Sequence, residues 1–251
     1  MCDPLPPARY RPPTEKVNPH VNRHLLRHKV KVAVAKVGLN STVVDTVHGL
    51  PKIGAWEREN VPADCPIFPT REELHDFVQR TEIGEDPIDY LEFGVWEGQS
   101  VRDWTARNTH PDSRFVGFDS FEGLPEDWKQ AASTVEANVF DVGGNVPQID
   151  DERVSWQAGW FQDTLRPFLE KFEPASKLVV HCDADLYSST LYALTQCDHI
   201  LVPGSIVMFD EFSSALNEFA ALRDYCRAYQ REYDVIGATS LYYAQIAIRM
   251  R

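Results

Sequence analysis

The sequence predicts an α/β fold: a doubly wound, mostly parallel sheet of seven strands covered by helices on both faces. Three observations carry that expectation. From residue 88 onward, short apolar runs alternate with helical stretches, the pattern that βαβ units produce. Runs such as Leu178-Val179-Val180 and Ile206-Val207-Met208-Phe209 read as strands buried on both faces. Acidic residues follow those two runs directly, in His181-Cys182-Asp183-Ala184-Asp185 and Phe209-Asp210-Glu211. Strand ends in an open α/β sheet are where such sheets bind ligands.

Taken in order, the chain opens with Pro4, Pro6, Pro7, Pro12, Pro13 and Pro19 in its first twenty residues, which are expected to be extended or disordered. Residues 20–37 suit a basic helix and residues 40–48 a short second one. Pro62, Pro66 and Pro69 punctuate a loop. Thr70 then stands as an N-cap with Glu73 three residues on, the spacing of a capping box. Leu74, Phe77 and Val78 give that helix an apolar face. Residues 1–80 are therefore expected to be an N-terminal extension, partly disordered and then helical, serving as a lid or an oligomer contact. The main domain is expected over residues 81–251. Its strands fall at 88–95, 114–118, 153–157, 177–182 and 205–209, and its helices at 100–107, 161–171, 188–197 and 217–230. A long polar connection covers 120–150, a lid or substrate-loop candidate because structureless loops of that length are uncommon. Strands near 233–236 and 242–249 close the fold as an antiparallel hairpin.

Composition excludes several classes. A net charge of −13 over 251 residues argues against a nucleic-acid partner. No stretch approaches 18 consecutive apolar residues, so no membrane span is expected, and no signal-peptide pattern opens the chain. Cys2, Cys65, Cys182, Cys197 and Cys226 are scattered, odd in number and without a C-x-x-C pair. They read as the reduced thiols of a cytoplasmic protein, with Cys182 a small buried strand residue. The charge is uneven: residues 1–58 hold ten Lys and Arg against four Asp and Glu, the remainder 15 against 34. The basic segment is expected to meet its own acidic body or a sister subunit, and a homo-oligomer follows from the second case.

Two constellations carry chemistry. Gly94-x-x-x-Gly98 follows a strand and permits a tight turn with close approach of backbone to a ligand. It lacks the G-x-G-x-x-G pattern of dinucleotide sites, which disfavours a nicotinamide enzyme. Glu92 lies within the first strand, and Asp119 ends the second, 25 residues after Gly94. A carboxylate there can bond both ribose hydroxyls of a nucleoside cofactor, or it can cap a helix or turn. The second constellation is Asp183, Asp185, Asp210 and Glu211. Four carboxylates at two strand ends can converge on one divalent cation, whereas singly each reads as a helix cap or ion-pair partner, Asp185 above all. His181 reads as a satisfied core histidine.

These residues, with Gly117-Phe118-Asp119-Ser120-Phe121-Glu122-Gly123-Leu124-Pro125, Gly159-Trp160-Phe161-Gln162-Asp163-Thr164-Leu165, Asp183-Ala184-Asp185-Leu186-Tyr187-Ser188-Ser189-Thr190 and Pro203-Gly204-Ser205, give the chain a family likeness. It resembles class I S-adenosylmethionine-dependent methyltransferases and, more narrowly, the macrocin O-methyltransferase family of sugar O-methyltransferases. The motifs span about residues 88–212 in order, and the first 58 residues match none of them. The resemblance implies a Rossmann-like sheet and S-adenosylmethionine as methyl donor, with cofactor contacts from Glu92, Gly94, Gly98, Ser100, Asp119, Ser120, Phe121, Trp160 and Asp183. It implies Mg²⁺ at Asp183, Asp210 and Glu211, and Asp185 as general base. A hard cation that grips neighbouring hydroxyls and acidifies one of them suits a sugar, a poor nucleophile at neutral pH. An all-oxygen ligand set favours Mg²⁺ over zinc. The chain departs from the family in carrying Asp210-Glu211 where antibiotic-sugar enzymes usually carry two aspartates. Trp160 packs on adenine in this reading or else belongs to the core, and Trp128 and Tyr187 are candidates to stack on a sugar ring. The implied partner is a small sugar-type acceptor, with neither nucleic acid nor membrane. Two readings stay open beside it: a catechol-type diol as acceptor, and a non-catalytic cofactor-binding scaffold whose acids only cap helices.

Overall fold

The apolar runs become strands because each carries bulky side chains to both sides, and two layers of helices bury them. The computed structural model describes residues 41–251 apart from 131, 132 and 241, with side chains from Val47 on. The basic helix expected over 20–37 lies outside these residues. Thr42–Arg251 form one compact unit, so residues 42–80 share a body with the domain expected to begin at 81. In order come α1 (Ser41–Asn60), β1 (Ile67–Phe68), α2 (Arg71–Val78) with a π-helical turn at Gln79–Ile83, β2 (Ile88–Phe93) and α3 (Gln99–Arg107). There follow β3 (Arg114–Asp119), β4 (Trp128–Lys129), β5 (Thr134–Val135), a 3₁₀ turn at Ala137–Phe140, β6 (Val154–Ala158) and α4 (Phe161–Leu169). The chain closes with β7 (Lys177–Cys182), α5 (Tyr187–Cys197), β8 (Ile206–Phe209), α6 (Glu218–Tyr229), β9 (Tyr233–Thr239) and β10 (Ile246–Met250).

The main sheet runs β1-β9-β10-β8-β7-β2-β3-β6, and within it only β10 is antiparallel to its neighbours. The strand order reverses direction around β2, the arrangement that opens a crevice at the carboxyl edge. Alternation along β2 shows how the layers are divided. Leu91 and Phe93 join α4, α5, α6 and α1 through Leu165, Leu194, Phe219 and Trp56. Ile88 and Tyr90 face the other way, onto Leu74 and Val78 of α2 and Val101 and Trp104 of α3.

Three features differ from the sequence expectation. The short helix expected to stop at residue 48 continues to Asn60 through Pro51. An interior proline costs about 3 kcal/mol, and burial of Ile53 and Trp56 together with the Trp56 Nε1–H donated to the Tyr233 hydroxyl at 2.7 Å offsets it. Part of the proline-punctuated loop pairs in parallel with β9 as an eighth, two-residue edge strand, β1. The 120–150 connection is organised by the β4–β5 pair and the 3₁₀ turn. Elsewhere boundaries move by a residue or two, except in the closing hairpin, where β9 runs three residues further and β10 begins four residues later than expected. Thr70 caps α2 by accepting from the Glu73 amide at 3.2 Å.

Arg153, just before β6, ties the sheet edge to the end of α3. Its guanidinium donates to the carbonyls of Thr105, Asn108 and His110 at 3.0, 2.6 and 3.1 Å and to the Asp151 carboxylate at 2.6 Å. The bond from Arg153 holds the Asp151 carboxyl below its usual range. Arg153→Met should therefore lower stability by about 2–3 kcal/mol in chemical denaturation, because three carbonyls lose their donor. The part contributed by Asp151 is present above the unfolded carboxylate pKa, about 3.9. It fades as the pH falls through the lower folded value, so the gap between variant and wild type should narrow in acid.

Candidate active site

Parallel register brings the candidate residues together. Phe93 stands beside both Phe118 and Cys182, and Cys182 beside Phe209. The residues that come next in each strand, Gly94, Asp119, Asp183 and Asp210, therefore emerge at one edge. A cavity of about 420 Å³ opens there, between the β2–α3 turn and the loop entering α5.

On the turn side, Asp119 is the organising group. Its Oδ2 accepts the amides of Val95 and Trp96 at 2.7 and 2.9 Å, and its Oδ1 accepts the amide of Phe121 at 2.7 Å. The carboxylate thus holds Trp96 and Phe121 in left-handed backbone conformations, φ 50° and 58°, and keeps one lone pair of Oδ1 for a further donor. Gly94, at φ +94°, is demanded by the neighbouring strand: a Cβ there would sit 1.9 Å from the Asp183 carbonyl oxygen. Gly98, at φ +76°, precedes α3 and passes close to Pro147. The amino end of α3, with Gln99 and Ser100, lines the cavity and is a ready place for an anionic group.

Of the residues expected to contact a cofactor, Gly94, Ser100, Asp119, Ser120, Trp160 and Asp183 line the cavity. Gly98 stands one residue behind the lining. Glu92 and Phe121 do not line it. Phe121 is fully buried, its ring edge-on to Trp156. Glu92 is fully buried as well, accepting the Ser100 hydroxyl at 2.5 Å and the Tyr90 hydroxyl. A strand position fixes only which face a side chain takes, so the depth of Glu92 was invisible in sequence.

On the acidic side, Asp183, Asp185, Asp210 and Glu211 all line the cavity. Asp185 does not cap α5: that helix is entered through Leu186, with no side-chain cap. Instead Asp185 sits at φ +60°, nearly buried, and burial together with Glu211 and Asp210 pushes its carboxyl up to about 8. Burial and Asp210 likewise push Glu211 up to about 7, and burial and Asp210 drive Asp183 well above the carboxylate range. Asp210 goes the other way. Burial alone would raise it, but His181 and Arg71 outweigh that penalty and lower it.

Three residues here carried no recognisable signal. Arg71, which read as a helix start, reaches Asp210 Oδ2 with Nη1 at 2.9 Å. Tyr90 bridges Glu92 to His181, its hydroxyl 2.8 Å from His181 Nδ1. Glu218, fully buried at the start of α6, accepts the Glu211 amide at 2.8 Å. His181 is buried, as expected, but not satisfied, since its Nε2 has no hydrogen-bond partner. Burial would lower its pKa, yet the acids that flank it, Asp210 3.7 Å from Nε2 and Glu92 3.5 Å from Nδ1, lift it to about 10. Trp128 lines the cavity, its indole N–H buried without a partner, whereas Tyr187 is engaged with Asp224 at 3.2 Å.

The cluster fits a cation. Ligand atoms of His181, Asp183 and Asp210 lie within 4.8 Å of one another, and both Asp210 Oδ1 and His181 Nε2 are buried without a hydrogen-bond partner. Glu211, expected as the third ligand, is not in that convergent set. Its own amide is tied to the Glu218 carboxylate at 2.8 Å. The four described cysteines are unpaired, and no described helix is long and apolar enough to cross a membrane.

Comparison with known proteins places this geometry. The family model for macrocin-O-methyltransferase (TylF) matches residues 70–244. The 8-demethyl-8-(2,3-dimethoxy-α-L-rhamnosyl)-tetracenomycin-C 4′-O-methyltransferase of Streptomyces olivaceus is 31% identical over 167 residues, 59% of this chain and 60% of the relative. The demethyldecarbamoylnovobiocin O-methyltransferase of Streptomyces niveus is 30% identical over 162 residues, 55% and 60% respectively. The chain thus spans about 60% of the length of the curated relatives it matches. Among solved structures, the O-methyltransferase NovP superposes with a TM-score of 0.54 at 23% identity, over 71% of this chain and 78% of that one, a likeness of fold.

Gly94→Ala should cost about 3–4 kcal/mol in chemical denaturation, since a methyl group would meet the Asp183 carbonyl as well as an unfavourable φ. Gly144→Ala, at φ +72° in open space, should cost only the conformational strain of about 1–2 kcal/mol.

Proposed function

The chain belongs to the macrocin O-methyltransferase family, and on that premise we propose that it moves a methyl group from S-adenosylmethionine to a hydroxyl of a sugar-bearing small molecule. The observation that carries this reading is one cavity with two unlike walls: a nucleoside-type turn pinned by Asp119 on one side, and Asp183, Asp185, Asp210 and Glu211 on the other. The relative whose name puts a methyl group on the 4′ oxygen of a rhamnosyl-tetracenomycin supports a sugar hydroxyl over a catechol as acceptor.

In this reading the ribose bonds the free lone pair of Asp119 Oδ1, and the anionic end of the donor lies at the amino end of α3, beside Gln99 and Ser100. Trp160 supplies an apolar wall. Asp183 and Asp210 would hold a divalent cation, Mg²⁺ in preference to softer metals because carboxylate oxygens dominate the donor set, with Glu211 available from the same loop. When bound, that cation supplies grip on neighbouring acceptor hydroxyls and lowers the pKa of one of them. Asp185, nearly buried on the cavity wall, accepts the hydroxyl proton as the oxygen–carbon bond forms and the sulfur–carbon bond breaks. The cavity's contribution is to align the acceptor oxygen with the methyl group, since an aligned nucleophile saves much of the barrier. Trp128 can offer its unpartnered N–H to an acceptor oxygen.

Calorimetric titration with S-adenosylhomocysteine tests the cofactor half. Micromolar binding is expected, weakened at least about a hundredfold by Asp119→Ala, which removes three backbone anchors as well as the ribose acceptor (about 2.7 kcal/mol). Asp185→Asn should keep that binding and lose roughly 10²–10⁴-fold in turnover on deoxysugar glycosides. Absence of S-adenosylhomocysteine binding would remove the methyltransferase reading. Methylation of catechols in place of glycosides would remove the acceptor class.

A further inference from the structure

The acidic cluster already holds a cation of the chain's own. Arg71, the first residue of α2, projects into the cavity with Nη1 2.9 Å from Asp210 Oδ2 and 3.8 Å from Asp183 Oδ2. These are the two carboxylates that would hold a divalent ion. The placement comes from the outer part of the fold: β1 pairs with β9, and Pro69 and Thr70 turn the chain directly into α2 at the sheet's carboxyl edge. Leu74 and Val78 seat α2 against the sheet without help from Arg71, so the ion pair is not what docks the helix. The Arg71 side chain is 29% exposed, with Glu72 3.7 Å from its Nε, and has solvent to move into. The other oxygen of Asp210 lies 3.7 Å from His181 Nε2 and has no hydrogen-bond partner.

We propose that Arg71 is the resident counter-cation of this cluster and competes with divalent ions for Asp210 and Asp183, so that a metal ion enters only as the guanidinium leaves Asp210. The inference rests on the divalent site proposed above and adds a residue that sets its affinity. Two arguments carry it. Asp210 Oδ2 has its better lone pair committed to a charge-assisted bond at 2.9 Å, and a cation of charge two placed between the same carboxylates would sit within a few ångströms of the guanidinium and be repelled by it. Removing Arg71 takes away both obstacles and leaves the two carboxylates with only the His181 ring to balance them, which sharpens their demand for a cation. The resulting site is weak and exchangeable in the native chain.

Binding of Mn²⁺ to the full chain, read from the loss of the free-ion paramagnetic resonance signal, needs no turnover. Arg71→Gln and Arg71→Ala should each bind Mn²⁺ at least about tenfold more tightly than the wild type, a shift of 1.4 kcal/mol. Asp210→Asn should abolish that binding in every background. An affinity in either Arg71 variant that is unchanged or weaker, in protein that keeps a cooperative thermal transition, overturns the proposal. So does the absence of Mn²⁺ binding in all variants, which also removes the metal from the proposed function. In the unmodified protein, ¹⁵N-labelled at arginine, the Arg71 Nε–H resonance should move or broaden as Mg²⁺ is added. A resonance that stays in place while calorimetry records Mg²⁺ binding overturns the proposal without any variant. Failure of S-adenosylhomocysteine to bind would strike the methyltransferase reading alone, because the competition for Asp210 is measured without it.

Discussion

Carboxylates buried at the carboxyl edge of the sheet have to be neutralised, and most of the site is an answer to that constraint. Glu92 is fully buried and Asp210 nearly so, and an uncompensated buried charge is costly. Glu92 is satisfied by hydroxyls, from Tyr90 and Ser100, and by the His181 ring 3.5 Å away. Asp210 is satisfied by charge, with Arg71 on one oxygen and His181 facing the other. Asp183 and Asp185 receive less, and their carboxyls rise accordingly. The cluster therefore divides into acids held by partners and acids whose carboxyls burial raises.

The same groups join the two walls of the cavity. From Ser100 at the amino end of α3, contacts run through Glu92, Tyr90 and His181 to Asp210. That chain crosses β2, β7 and β8 on the face covered by α2 and α3. Asp119 and Gly94 do the corresponding work at the sheet edge. Asp119 holds the turn after β2 from the end of β3, and Gly94 lets that turn lie against the Asp183 carbonyl after β7. The turn and the acidic loop are thus built as one piece.

Legibility in sequence followed the range of the interactions. Strands β2, β3, β7 and β8 could be read almost to the residue, because apolar runs that must be buried on both faces have few alternatives. Gly94, Asp119, Asp183, Asp185, Asp210 and Glu211 were found from their places after those strands. The helix through Pro51 was cut short, since the burial of Ile53 and Trp56 that sustains it depends on partners far along the chain. The edge strand β1 escaped notice for the same reason, its partner β9 lying some 170 residues away. Arg71 gave no signal because a lone arginine after an N-cap is an ordinary surface residue until the fold brings α2 over the acidic edge.

The sequence by itself determined the alternation of the central strands and helices, the edge of the sheet that bears the candidate site and the carboxylates placed there. Each of these follows from local pattern: apolar runs, turn glycines and the period-two alternation of a strand. Only the tertiary structure decided which carboxylates are compensated, and by what. Parallel register set Glu92 beneath the cavity instead of within it, turned His181 into a bridge between two acids, and carried Arg71 across to Asp210. The physical reason is that charge, unlike hydrophobic periodicity, is settled by neighbours within a few ångströms, and those neighbours stand 29 to 139 residues apart in the chain.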